Sequence, residues 1–345
     1  DENDSEPLVA AADEVPDTQR TVDLRDGLYE LQWQPRSRLD QRLPAVPHSD
    51  LSDPTVIADE SATAESRLST QLALPRYQEF DSELDRLCAA YARTALDNLG
   101  CMLQAGKTYA IDELVQNAGI VDAHRRLFER LLAILAEDKI LQIDGSRCIV
   151  AANVPPAADP EQIRSLMVDR FKECNAELEL LGRCGSSLAG VLNGQIDPLQ
   201  LLFPDGSSEL VERLYQDSPF ARTLNTLVEE AVVAALARSE EGRPIKILEI
   251  GAGTGGTSSQ IIPRLPAERT EYVFTDVSEL FTRKAQEKFQ DYPFVRYGAL
   301  DIEQDPTAQG FAVGQFDLIL AANVVHATQD LAETMQNIRR LLVPD

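Results

Sequence analysis

The chain has 345 residues, 43% hydrophobic and 26% charged, a soluble balance with room for two domains that each hold a sizeable core. Its 57 acidic side chains against 32 basic ones give a formal net charge of −25, which argues against nucleic acid or an anionic membrane as a partner. No stretch is apolar enough to span a membrane, the acidic start is no signal peptide, and 5 unpaired-looking cysteines with 3 scattered histidines suit a reducing cytoplasm and no metal centre.

In chain order, residues 1–24 read as a disordered acidic leader. Tyr29 to Trp33 alternate as a short strand would, and prolines at 35, 44, 47 and 54 make a linker of the remainder of 25–77. A mainly helical domain is expected over 78–240. Phe80, Leu84, Leu87, Tyr91, Ala95 and Leu99 recur at helical spacing over 78–106, and 111–118 and 122–137 continue as two more helices. Asp144-Gly145 marks a hairpin between Lys139–Ile143 and Arg147–Val150. The result is winged-helix-like, but the helix in the recognition position ends in Glu137 and Asp138, which would repel phosphate, so this domain is expected to be a lid or scaffold. A helix over 161–181, a glycine-containing loop over 182–194, a short turn within 191–202, a helix capped by Ser207 or Ser208 and reaching Tyr215, and a long helix over 219–239 complete it.

The last domain, 241–345, is α/β. Ile245 to Ile250 reads as a central parallel strand running into Gly251, Gly253 and Gly255, which let the backbone turn sharply and approach a bound molecule. Thr257 and Ser258 are candidate caps of the next helix. No Gly-Lys-Ser/Thr closes this turn, which excludes the phosphate loop of nucleotide hydrolases and leaves NAD, FAD or S-adenosylmethionine. A second strand, 271–276, ends in Asp276, placed for the hydroxyls of a ribose. A third, 294–300, runs into Asp301-Ile302, and a fourth, 315–321, into Asn323 and His326. Glu249 lies two residues before the first glycine, where it would oppose a dinucleotide's diphosphate but favour a sulfonium and an amino group. The sign favours S-adenosylmethionine.

Three segments carry a family resemblance: Leu248–Thr257, Tyr272–Ser278, and Phe316–Thr328 with its Asn-Val-Val-His-Ala-Thr ending. They resemble the class I methyltransferase domains embedded in modular polyketide synthases, and Tyr215, Arg222 and Asn225 lie in a stretch similar to the one leading into the cofactor domain there. The resemblance implies a Rossmann-like parallel sheet, of which this chain carries the first four strands, preceded by a helical lid. It implies S-adenosylmethionine bound by Glu249 (methionine amino group, directly or through water), the three glycines, Asp276, Asp301 (adenine amine), Ile302 (adenine face) and Asn323, with Tyr215, Arg222 and Asn225 as lid contacts. Its substrate would be a polyketide tethered by phosphopantetheine to an acyl carrier protein, with other domains of the same synthase as partners. Methylation of the α-carbon of a β-ketoacyl thioester is favoured over methylation of a β-hydroxyl or enol oxygen. A catalytically inactive scaffold and an NAD-dependent reductase are the remaining alternatives. The residues themselves nominate His326 as the base, whereas the resemblance implies a histidine–glutamate pair after the fifth strand, beyond Asp345, with the 241–345 domain C-terminally incomplete.

Overall fold

A computed structural model describes residues 51–71, 74–239 and 242–344; the expected leader and the strand at Tyr29–Trp33 lie outside the described residues. The first described element corrects the linker. Asp53 accepts the Thr55 amide at 2.8 Å with Pro54 between them, so a helix, α1 (Pro54–Gln71), begins inside the predicted linker. Ala64 and Leu68, one turn apart, are buried, and Arg67 pairs with Glu230 at 2.7 Å.

In α2 (Leu74–Asn98), Phe80, Leu87, Tyr91 and Ala95 form the buried stripe that their spacing predicts. After it come β1 (Thr108–Ala110), α3 (Ile111–Asn117), α4 (Arg125–Glu137), β2 (Leu141–Asp144) and β3 (Arg147–Val150). The hairpin turns at Gly145 with φ +56°, and β1 adds a third strand to give an antiparallel sheet in the order β1-β3-β2. Phe128, Leu132 and Leu135 of α4 pack on Leu96 and Cys148 beneath it.

The helix predicted over 161–181 is two, α5 (Pro160–Arg170) and α6 (Asn175–Ser186). Phe171 leaves helical geometry at ψ 60° and drives its ring edge-on against Phe80, with centroids 5.4 Å apart. That burial outweighs the continuous helical pattern. The loop predicted over 182–194 is helical, because α6 runs on and α7 (Leu188–Leu192) follows. Gly185 is a packing residue there: a Cβ on it would lie 2.4 Å from the Tyr91 ring. Next come α8 (Pro198–Leu202), α9 (Glu209–Asp217) and α10 (Pro219–Leu236), the last capped by the Ser218 hydroxyl and lying along α1.

The remaining elements are β4 (Ile245–Glu249), α11 (Gly256–Ile261), β5 (Thr270–Asp276), α12 (Glu279–Lys288), β6 (Val295–Ala299), β7 (Leu318–Leu320) and α13 (Leu331–Leu341). The four strands are parallel in the order β6-β5-β4-β7. The chain builds outward from β4 on one side and then returns to its other side, so the switch point lies between β4 and β7. An open α/β sheet binds its ligand at the carboxyl ends of strands there. β4 is covered on both faces: Ile245 and Ile247 pack with Val232, Leu236 and Ile261 of α10 and α11 on one, and Leu248 with Ile338 and Leu341 of α13 on the other. On α13 the spacing of Leu331, Met335, Ile338 and Leu342 predicts one apolar face, but the buried face is rotated from it: Leu331 and Met335 are 56% and 46% exposed, while Thr334, Asn337, Ile338 and Leu341 face inward. Asn337 sets this orientation by donating to the Ile302 carbonyl at 2.9 Å. Among the described residues no helix is long and apolar enough to cross a membrane.

Candidate functional site

The chain leaves β4 tied on both sides. The Ile250 amide donates to the Leu320 carbonyl at 2.8 Å, and the Ala252 amide to that of Thr275 at 2.9 Å. Gly251 then takes φ +60°, and a Cβ there would lie 2.3 Å from Cγ2 of Val324. The turn after β4 and the loop after β7 therefore touch through a position that admits no side chain. Gly253 and Gly255 are also left-handed, at φ +54° and +73°. At Gly256 the reason for glycine differs, since a Cβ would meet the Tyr215 carbonyl oxygen at 2.6 Å. The caps expected from Thr257 and Ser258 do not form. Gly255 occupies the cap position of α11, and both hydroxyls donate elsewhere, Thr257 to Asn225 and Ser258 to Glu249.

Glu249 is 1% exposed and turned into the layer between β4, β5 and α11. Its carboxylate accepts from the Ser258 hydroxyl and from the Tyr272 hydroxyl, the latter at 2.6 Å. Both hydroxyls donate to Oε2, so this oxygen braces the turn from within, while Oε1 keeps its accepting capacity. Burial pushes its carboxyl up from the ordinary value of 4.5 to about 7, against the opposing pull of those two hydroxyls. The folded state therefore takes up a proton between these values, and the contribution of Glu249 to stability is present below pH 4.5 and is lost as pH rises towards 7. We expect Glu249→Gln to remove this slope, gaining roughly 1–3 kcal/mol on wild type between about pH 4.5 and 7.5 in urea unfolding. A constant difference between the two proteins across that range would mean that its ionisation is not linked to folding.

Asp276, at the end of β5, is 7% exposed. One carboxylate oxygen accepts the Gly253 amide at 2.9 Å, and the other accepts the Ser278 amide at 2.8 Å. Each oxygen keeps one further lone pair, so the group that fixes the turn also has capacity for a pair of vicinal hydroxyls. Asp301 is half-buried at the end of β6, where its carboxylate accepts the Glu303 amide at 3.0 Å. Ile302 is 4% exposed and packed with Leu300, Phe316 and Ile338 on the α13 face of the sheet. Its side chain is a core residue first, with little surface left for an adenine face. Asn323 is exposed beyond β7 in a left-handed conformation, φ +55°, and His326 is exposed three residues later.

The three lid residues separate. Tyr215 and Arg222 are exposed, whereas Asn225 is 8% exposed and engaged at both its amide nitrogen and oxygen, donating to the Tyr215 carbonyl and accepting from Thr257, both at 2.9 Å. Two residues near the turn carried no sequence signal. Lys288 donates to the Gln216 side chain at 3.0 Å and to the Thr254 carbonyl at 3.1 Å, and Lys284, one turn earlier, to Ser208 at 2.8 Å. Lysines four apart on an acidic protein's helix look like any solvated face. A cleft of about 700 Å³ opens between them, α9 and Gly253-Thr254. Among the described residues no cluster of potential metal ligands is present.

A tight glycine turn at the switch point of a parallel sheet, with acids ending the next two strands, defines a nucleoside-cofactor site of the class I methyltransferase kind. The family described as "Methyltransferase domain" matches residues 248–345. Among solved structures, the CurJ carbon methyltransferase is 42% identical with a TM-score of 0.81, the match covering 85% of this chain and 77% of that one. The DszA carbon methyltransferase is 32% identical with a TM-score of 0.73, covering 86% and 74%. The non-reducing polyketide synthase sor2 of Hypocrea jecorina (strain QM6a) is 35% identical over 269 residues, which are 75% of this chain and 10% of that protein. The chain thus spans about a tenth of the length of the curated relatives it matches. It belongs to the carbon methyltransferase family related to polyketide synthases, and is an S-adenosylmethionine-dependent methyltransferase domain. This removes the NAD-dependent reductase from consideration.

Proposed function

We propose that this domain methylates the α-carbon of a β-ketoacyl thioester held by phosphopantetheine on an acyl carrier protein, as one unit of a larger synthase. The observation that carries this reading is the extent of the likeness. It covers the helical front as well as the sheet, so the elements that would wall the substrate are shared with proteins named as carbon methyltransferases. Oxygen methylation remains the second reading.

S-adenosylmethionine supplies an electrophilic methyl group when bound. The residues toward it follow from their chemistry. Gly251, with Val324 against it, would let backbone approach the cofactor; Asp276 would accept the ribose hydroxyls; Asp301 would accept the adenine amine; and Asn323 would serve the methionine end. Glu249 holds Ser258 and Tyr272 through Oε2, which leaves Oε1 for the methionine amino group, directly or through water, and Asn225 holds the helices together. What the protein adds beyond binding is alignment of the nucleophilic carbon and removal of one proton. His326 is exposed at the mouth of the sheet, and because the resemblance implies a histidine–glutamate pair elsewhere as the base, its part in this reading is to shape the mouth of the site.

Intact-mass measurement of carrier-bound substrates tests the reaction. A β-ketoacyl chain should gain one methylene's mass, with fragmentation placing it on the α-carbon, and a β-hydroxyacyl chain should gain nothing. A gain on the β-hydroxyacyl chain would transfer the assignment to oxygen. In the same assay on a chain that continues past Asp345, His326→Gln should turn over with only a modest loss. Abolished turnover at unchanged S-adenosylhomocysteine affinity would make His326 the base.

A further inference from the structure

The end of α9 meets the glycine turn through two side chains that belong to neither. From one side Asn225, on α10, donates to the Tyr215 carbonyl and accepts from the Thr257 hydroxyl, both at 2.9 Å. From the other side Lys288, on α12, donates to Gln216 at 3.0 Å and to the Thr254 carbonyl at 3.1 Å. Between these clamps the backbones touch, since the Tyr215 carbonyl oxygen occupies the space where Gly256 would carry a Cβ. Residues 215–216 are thus stitched to residues 254–257 at three adjacent points. The contacts are specific in kind. Asn225 is buried with its amide nitrogen and oxygen each given one partner, an arrangement that neither aspartate nor leucine reproduces. The carbonyl that Lys288 takes, that of Thr254, lies between the left-handed Gly253 and Gly255, next to the Gly253 amide that Asp276 accepts.

We infer that Asn225 and Lys288 are positioning residues: they lock the glycine turn to the tip of α9, so that the helical front sets the affinity of the cofactor site without touching the cofactor. The inference rests on the reading that this turn holds S-adenosylmethionine. A turn with three left-handed glycines has many conformations to lose on binding, and fixing it beforehand removes that cost from the binding step. Thr257 belongs to the same device through its hydroxyl.

The test uses the whole chain and calorimetric titration with S-adenosylhomocysteine, beside hydrogen exchange of the peptides covering 251–260 and 141–150. Thr257→Val and Asn225→Ala should each weaken binding about tenfold, the scale of one buried hydrogen bond. Lys288→Met should weaken it about threefold, as its ammonium is less enclosed. Exchange should rise over 251–260 and stay unchanged over 141–150, which a general loss of stability would not produce. Thr257→Ser and Lys288→Arg, which retain the donor, should restore affinity. Asp276→Ala separates the two levels of the claim. If it loses binding while Thr257→Val and Lys288→Met stay within about twofold of wild type, the clamp is overturned and the cofactor site stands. If Asp276→Ala also binds normally, the site reading fails and takes this inference with it.

Discussion

Replacing Asp276 by alanine should weaken S-adenosylhomocysteine binding by roughly 1–3 kcal/mol, about 5- to 150-fold, the scale for removing a charged hydrogen-bonding group from a buried site. The effect is large because the carboxylate has two duties. It accepts the amides of Gly253 and Ser278, which sets the height of the glycine turn over the sheet, and it is the acid at the end of β5 to which ribose hydroxyls would be presented. Alanine removes the ligand contact and leaves two backbone donors in search of water. The Asp276→Asn variant keeps one accepting oxygen and should fall between wild type and alanine. Calorimetry on folded variants measures all three, and an alanine variant with wild-type affinity would take the residue out of the site.

The second large effect is expected at Gly251. Alanine there must hold φ near +60° and must place its Cβ where Cγ2 of Val324 lies 2.3 Å away. The left-handed backbone costs about 1–2 kcal/mol for a residue with a side chain, and forcing a methyl into a filled contact adds about 1–3 kcal/mol. We expect Gly251→Ala to lower stability by roughly 2–5 kcal/mol in urea unfolding and to weaken cofactor binding in parallel, because the loops after β4 and β7 are pushed apart. The double variant with Val324→Ala, which removes the 2.3 Å contact but keeps the Cβ at 2.9 Å, should recover much of the packing part and leave the backbone part. A single variant within about 0.5 kcal/mol of wild type would show that the two loops do not meet as described.

Both effects arise at residues that local sequence rules already single out. Gly251 and Asp276 follow from such rules: a branched apolar run predicts a buried strand, glycines after it predict a left-handed turn, and an acid ending the next strand predicts a ribose partner. The same locality made α2, α4 and the Asp144-Gly145 hairpin readable, since their signals recur within one or two turns of chain. Where two tendencies competed, local pattern was not enough. The pattern over 161–181 is helical throughout, yet the fit of Phe171 against Phe80 divides it in two. Gly185 reads as loop, yet it lies inside a helix because Tyr91 needs the space.

The class of fold, the position of the glycine turn, the acid beside it and the sign of charge the cofactor should carry were all written in the order of residues, because each depends on neighbours close together in the chain. Which protein partners the polar groups around the turn take was settled by packing alone. Glu249 is 23 positions from Tyr272, Asn225 is 32 from Thr257, and Lys288 is 72 from Gln216. Their partners are chosen by how the strands and helices come together, and a carboxylate or an amide written in one dimension is equally suited to a ligand, a cap or a brace. Burial makes the choice: a polar group removed from water must find a partner among its neighbours, and here those neighbours are other parts of the protein.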